Sequence, residues 1–378
     1  MYPAYNNNNN TKLVSKAYLL SVSHIWHIQN VVLASIILLI LGLLVYMLSY
    51  LYFKNLYDKK FDKWSLVSDL LIRKAVFYDD DELDGDAMIP VTSRAEKLMS
   101  NKHFRKLLVN EIMSAKRSIT GISADNLKHL YVQLGLDKYA MSNLSSSRWY
   151  IRAKAIQELT VMDMHELVDQ IYQYTDDKND LARMEAQSAL IAFNGFEGLN
   201  FLGTVTYPIS NWQQIKLLQQ LSHLPPAYID MSHWFKSDNS SVIIFTLKLA
   251  RIYQRFDLYY DIVSCLDHPD PSVRYEAIHC LNEIYTDETS DDFVSRFLGE
   301  ILKNQLAMIK VMETVGTEKD VEFLLDLLTH ENDQIKISAA RALVQSNKDG
   351  MVSLEKYSRE QNQSINQIVM HIKGEVAA

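Results

Sequence analysis

The stretch His268-Pro269-Asp270-Pro271-Ser272-Val273-Arg274-Tyr275-Glu276-Ala277-Ile278 reads as the opening of a helix. Asp270 is a short acceptor placed to cap free N–H groups, and Pro271 suits the first helical position, where a missing N–H costs nothing. Beyond it, Val273, Ala277 and Leu281 recur at helical spacing. The motif is an apolar residue, a basic one, two variable positions, a small residue, three variable positions and an apolar residue. It returns as Ile151-Arg152…Ala155…Leu159, Ala182-Arg183…Ala186…Leu190 and Ile335-Lys336…Ala339…Leu343.

The step from Arg152 to Arg183 is doubled from Arg274 to Lys336. A weaker copy, Val242-Ile243…Thr246…Ala250, lies one such step before Arg274. The gaps predict degenerate copies near Gln213 and Gln305, within Trp212 to Leu221 and Leu302 to Met312. Units of this length fill 144–378. A step of about thirty-one residues is the length of two short antiparallel helices with their turns, the unit of an α-solenoid. Asn179, Asn239, Asp270 and Asn332 each stand four residues before the basic position, where a short polar side chain caps the second helix of a pair. The small residue allows close approach to a neighbouring helix. The basic residues Arg152, Arg183, Arg274 and Lys336 can reach the turn of an adjacent repeat and form a structural ladder; the other reading is an anion-binding row.

This pattern resembles the short HEAT repeats found in the phycobilisome-lyase-like group, in Glu331 to Leu343 and Asn179 to Leu190 as well as in His268 to Ile278. The resemblance covers roughly Leu144 to Gly350. One N-terminal span followed by such repeats is also similar to bacterial HEAT-repeat membrane proteins. The resemblance implies a curved platform for protein contacts and no particular chemistry. A lyase-like or cofactor-attaching enzyme is the alternative, carried only by the repeat subtype.

No Asp, Glu, Lys or Arg occurs from Ala17 to Phe53, and Val31 to Phe53 is almost continuously apolar. A helix of that length covers about 34 Å, enough to cross a hydrocarbon core of about 30 Å. We therefore expect a transmembrane helix over 29–53, a disordered non-cytoplasmic tail over 1–28 and a juxtamembrane helix with an acidic linker over 54–90. A helical cap to the solenoid is expected over 91–143. Lys54, Lys59, Lys60, Lys63 and Arg73 follow the span, against Lys12 and Lys16 before it, which places the repeats in the cytoplasm of a cell whose inner membrane holds the anchor. Residues 54–74 interleave charge with Leu56, Phe61, Trp64 and Leu70, a pattern that fits either a helix lying on anionic headgroups or a continuation of the span as a stalk.

Residues 1–78 carry eight basic and three acidic side chains, net +5, and the remainder 30 basic and 43 acidic, net −13. So acidic a body excludes nucleic acid as the expected partner. Eleven glycines and seven prolines in 378 residues are too few for a turn-rich sheet protein, so the fold class is all-α. The acidic run Asp79 to Asp86 mimics the start of a calcium loop, but Val91 stands where the bidentate Glu belongs. The histidines show no metal-ligand spacing, and there is no phosphate loop or nucleophile elbow. No cofactor or metal is expected. Cys265 and Cys280 fall at apolar helical positions and read as reduced core residues; Trp149, Trp212 and Trp234 read as core.

The expected function is a membrane-anchored scaffold or adaptor, not an enzyme, whose partner is a protein, most naturally a membrane protein such as a polysaccharide glycosyltransferase. On the second helices, residues two, five and nine after the basic position should point outward and form the concave binding face. These are Lys154 and Gln157, Glu185 and Ser188, Phe245, Lys248 and Ile252, Glu276, His279 and Glu283, and Ser338, Arg341 and Gln345. Phe245 and Ile252 would form an apolar anchor in a polar row. A register shifted by one would return both to the core.

Overall fold

The structure, a computed structural model, describes residues 8–78, 88–224, 228–360 and 363–377. Among the described residues every regular element is a helix and there is no strand. The chain divides into two compact units, Met1–Leu136 and Asp137–Ala378.

The first unit is dominated by α1, a single helix of 69 residues over Asn8–Val76, about 100 Å long at 1.5 Å per residue. From Val32 it carries a stretch long and apolar enough to cross a membrane, and this stretch is not buried by protein. The expected tail over 1–28 is corrected from Asn8 onward. No Gly or Pro occurs between Ala4 and Leu41 to break the helix, so it begins well before the apolar segment. Residues 1–7 lie outside the described residues.

Past the span, α1 continues unbroken through the juxtamembrane segment, as a stalk would. Its last turns pack on α3 (Lys102–Ser118) and α4 (Ile122–Gln133), with α2 (Ser93–Met99) beside α3. Val67, Leu71 and Ala75 are buried there with Phe104, Leu108, Ile112 and Leu127, and Trp64 meets Phe104 edge-on at 6.4 Å. Two α4 side chains serve the C-terminal end of α1. Ser123 Oγ donates to the Val76 carbonyl at 2.8 Å and Asn126 Nδ2 to that of Tyr78 at 3.0 Å. α2 and α3 are separate helices, because Asn101 caps a new start by accepting from His103 and Phe104 N–H. The acidic run and its calcium-like spacing lie outside the described residues up to Ala87.

The second unit opens with α5 (Leu136–Leu144) and then alternates long helices with short ones. The long helices are α6 (Trp149–Val161), α8 (Asp180–Asn194), α9 (Asn211–Leu221), α10 (Ser240–Ile252), α12 (Pro271–Leu281), α14 (Leu302–Val315) and α16 (Asp333–Ser346). Between them stand α7 (Val168–Tyr172), α11 (Tyr259–Ser264), α13 (Thr289–Arg296) and α15 (Val321–Asp326), with 3-10 segments alone at Gly195–Gly203 and Ser232–Lys236. α17 (Gly350–Glu360) and α18 (Gln363–Ala377) close the chain.

α6 packs on α8, α8 on α9, α10 on α12, α12 on α14, and α14 on α16. Close approach is possible because Ala155, Ala186, Ala277 and Ala339 are buried at the contacts, each followed by a buried leucine four residues on. Asn179, Asn239, Asp270 and Asn332 each accept an N–H from the first turn of the helix they precede. The turns after α6, α8 and α10 share one device. Asp163, Gly195 and Gln254 take left-handed φ of 59°, 60° and 49°. Met164 and Arg255 N–H then reach back to the Leu159 and Ala250 carbonyls, closing the helix ends. Trp234 is core, but Trp149 and Trp212 are 40% and 63% exposed, so the core reading is corrected for both.

Candidate partner-binding face

Three of the four basic ladder residues share a geometry. Arg152, Arg183 and Arg274 each donate through Nη1 to the carbonyl six residues upstream, Ser146, Asp177 and His268, at 2.6, 2.7 and 2.8 Å. Arg152 also binds the Asp177 carboxylate of the next turn through Nε at 2.9 Å, and Arg274 forks onto Glu300 at 2.5 and 3.1 Å. The Arg183 guanidinium lies 4.4 Å over the Tyr207 ring instead. Asp177 thus serves two rungs, by its side chain and by its carbonyl. Lys336 departs from the pattern: it pairs with Asp333 three residues before it, at 2.7 Å on the surface.

At the degenerate copies an amide takes over. Gln214 Nε2 donates to the Ile209 carbonyl at 3.1 Å and Gln305 Nε2 to that of Phe297 at 3.0 Å. Ile243, buried at the same place in α10, needs no partner. These groups are consumed by the fold, which leaves little of the row to hold an external anion.

The outward rows are less uniform than the spacing predicts. Lys154, Glu185, Lys248, Glu276, His279 and Arg341 are half-buried, and Gln157, Ile252, Glu283 and Gln345 are exposed. Phe245 is corrected: it is fully buried. On α10 Val242, Ile243, Phe245, Thr246, Leu247, Leu249 and Ala250 are all buried, because the helix is packed around most of its circumference. A polar ladder residue would have turned one side toward the turn, and Ile243 does not. Ile252, at 52% exposed, therefore stands without the anchor partner expected for it.

Arg341 is also engaged within the chain. Glu375 of α18 accepts from its Nε and Nη2 at 2.9 and 2.6 Å. Lys248 Nζ donates to Gln214 Oε1 at 2.8 Å, and Arg251 stands 3.4 Å from Glu276. His279 packs edge-on against Tyr275 at 4.5 Å, and Lys303 Nζ lies 3.6 Å over that same ring. Burial, with Arg251 and Lys303 nearby, pushes the His279 imidazole below its ordinary value, against the pull of Glu276. Sequence reasoning missed Arg251, Lys303 and Lys310. The last had a signal, since it lies one repeat after His279 and one before Arg341.

The face therefore offers charge and hydrogen bonding on packed helices, with no nucleophile activated beside a base among the described residues. Cys265 and Cys280 are free and buried, and burial pushes both thiols up to about 12. Among the described residues no group of three or more His, Cys, Asp or Glu could hold a metal ion. A cleft of about 890 Å³ lies elsewhere, between the turn at Gly203 to Pro208 and the start of α10.

No protein-family model matches the chain, and no curated protein matches it. Among solved structures, the crystal structure of an engineered protein from the Northeast Structural Genomics Consortium is 13% identical over 82% of this chain and 89% of that one, with a TM-score of 0.28. A second engineered protein from the same consortium is 14% identical over 74% and 95%, with a TM-score of 0.21. At these scores neither likeness carries an inference about fold or function.

Proposed function

We propose that this chain is a single-pass, membrane-anchored scaffold whose second unit is an α-solenoid of HEAT-type helix pairs. It lies on the cytoplasmic side and holds a partner protein, itself in or at the membrane, against the face of the long helices. The observation that carries this reading is the serial packing of α10, α12, α14 and α16. Three of these four begin at a side-chain cap in the same place in the repeat pattern. Such stacking yields a broad regular surface and no enclosed site, which suits binding more than catalysis. The anchor and the excess of Lys and Arg after it support the orientation, and the acidic body weighs against nucleic acid.

The test is site-specific photo-crosslinking in intact cells, in a chain that carries a reporter active only in the cytoplasm after Ala378. A photoreactive side chain at Ile252, exposed on the proposed face, should give a discrete adduct, and one at Tyr260, 79% exposed on α11, should give none. Equal adducts at both positions would remove the binding face. A silent reporter would reverse the orientation.

A further inference from the structure

Lys248, His279, Lys310 and Arg341 follow one another at the repeat spacing, one on each of α10, α12, α14 and α16. Because these helices pack one on the next, the four side chains form a cross-helix row. The equivalent positions on α6, α8 and α9 hold Gln157, Ser188 and Gln219, so formal charge stands at this position only on α10, α14 and α16, with a histidine on α12. It is also opposite in sign to the −13 of the body as a whole. Two carboxylates lie within the row. Glu276 stands by Arg251 and His279, and Glu313 pairs with Lys310 and lies near Arg341. Among the described residues Lys248 has only a neutral amide as its hydrogen-bond partner, and Lys310 is 70% exposed.

The chain itself supplies one example of what such a row takes. Glu375 of α18 reaches across and grips Arg341 with two parallel N–H···O bonds, the geometry that makes a guanidinium selective for a carboxylate. We infer that Lys248, His279 and Lys310 continue this row as a docking track for an acidic, extended segment of the partner protein. The inference rests on the scaffold reading. Helices packed at about 8–10 Å set the rungs, and an extended polyproline-II chain advances about 3.1 Å per residue and returns to the same face every three residues, so the segment needs an Asp or Glu at about every third position.

The test uses the full chain in detergent micelles and a fluorescein-labelled peptide with Glu at every third position, beside the same peptide with Gln instead. Fluorescence anisotropy should show the Glu peptide binding about ten-fold or more tightly, with affinity lost as salt rises. Lys248→Glu with Lys310→Glu should weaken it by about ten-fold or more, while Lys236→Glu with Lys348→Glu, equal in charge but off the row, should leave it within about two-fold. Should the paired row variant lose its fold, Lys310→Glu alone, at an exposed site, carries the comparison. Equal affinity for both peptides, equal loss in both variants, or preference for a single-stranded RNA of similar length would overturn the track. If no peptide binds while Ile252 still cross-links a partner, the track fails and the scaffold reading stands.

Discussion

Arg274→Met separates a structural ladder from a binding row. In the native chain the Arg274 side chain is 15% exposed and its partner Glu300 only 4%, so solvent screens the pair little. Glu300 would keep one neutral donor, Asn304 Nδ2 at 2.9 Å, and the His268 and Pro269 carbonyls would each lose a donor. Removing one member of a buried pair costs about 3–5 kcal/mol, because the other charge is left without compensation. Taking the lower end, for the residual exposure of Arg274 and the remaining Asn304 contact, about 3 kcal/mol corresponds to a melting shift of about 6–12 °C for a unit of this size. Lys336→Met is the control at the equivalent position. Its partner Asp333 is 83% exposed and three residues away on the same helix, so the loss should stay within about 0.5 kcal/mol, or about 1–2 °C. Adding Glu300→Gln to Arg274→Met should restore part of the loss, since the orphaned charge goes with it. Thermal unfolding of the intact chain in detergent micelles reads all four proteins. Equal shifts for Arg274→Met and Lys336→Met, or no recovery in the double variant, would refute the ladder.

Two further outcomes follow from the buried titratable groups. Cys265 and Cys280, with thiols raised to about 12 by burial, should resist alkylation by iodoacetamide near neutral pH in the folded chain and react fully in denaturant; rapid modification without unfolding would contradict their place in the core. His279 sits below its ordinary value near 6.5, chiefly through burial, so the unfolded chain takes up its proton first. Its contribution to stability is full above about 6.5 and is lost as pH falls through that value toward the lower folded one. Between about pH 7.5 and 5.5 the melting temperature should therefore fall less in His279→Gln than in the native chain, and parallel curves would dismiss the effect.

What the sequence made legible was local. The caps Asn179, Asn239, Asp270 and Asn332 depend on one side chain and the N–H groups two or three residues on, and the apolar span of α1 depends only on length and the absence of charge. The short helices between the long ones were not legible. They run five to eight residues, most bounded by 3-10 turns, too short to show a period. Phe245 was misplaced because its register was borrowed from repeats in which a polar residue holds the ladder position. The engagement of Arg341 was not legible for another reason, as its partner Glu375 lies far along the chain on α18, and no local pattern announces such a contact.

The ladder and the row differ in what recurs and why. At the ladder position Arg, Gln and Ile interchange because the task is to satisfy turn carbonyls or to fill core, and each does one of these. Packing explains that position everywhere but at Lys336, which pairs with Asp333 on the surface instead. The row five residues later is the reverse case. Lys310 is exposed and Lys248 bonds an amide that a neutral donor could serve equally well, so neither core filling nor carbonyl satisfaction calls for a positive charge there. Three cations and a histidine at the repeat spacing in an acidic body carry a cost in desolvation wherever they are half-buried; Glu313 offsets it for Lys310 and Glu375 for Arg341, whereas Lys248 has only the Gln214 amide. Such a charge is expected where a ligand of opposite sign supplies the offset, and Glu375 on Arg341 is that arrangement completed within the chain.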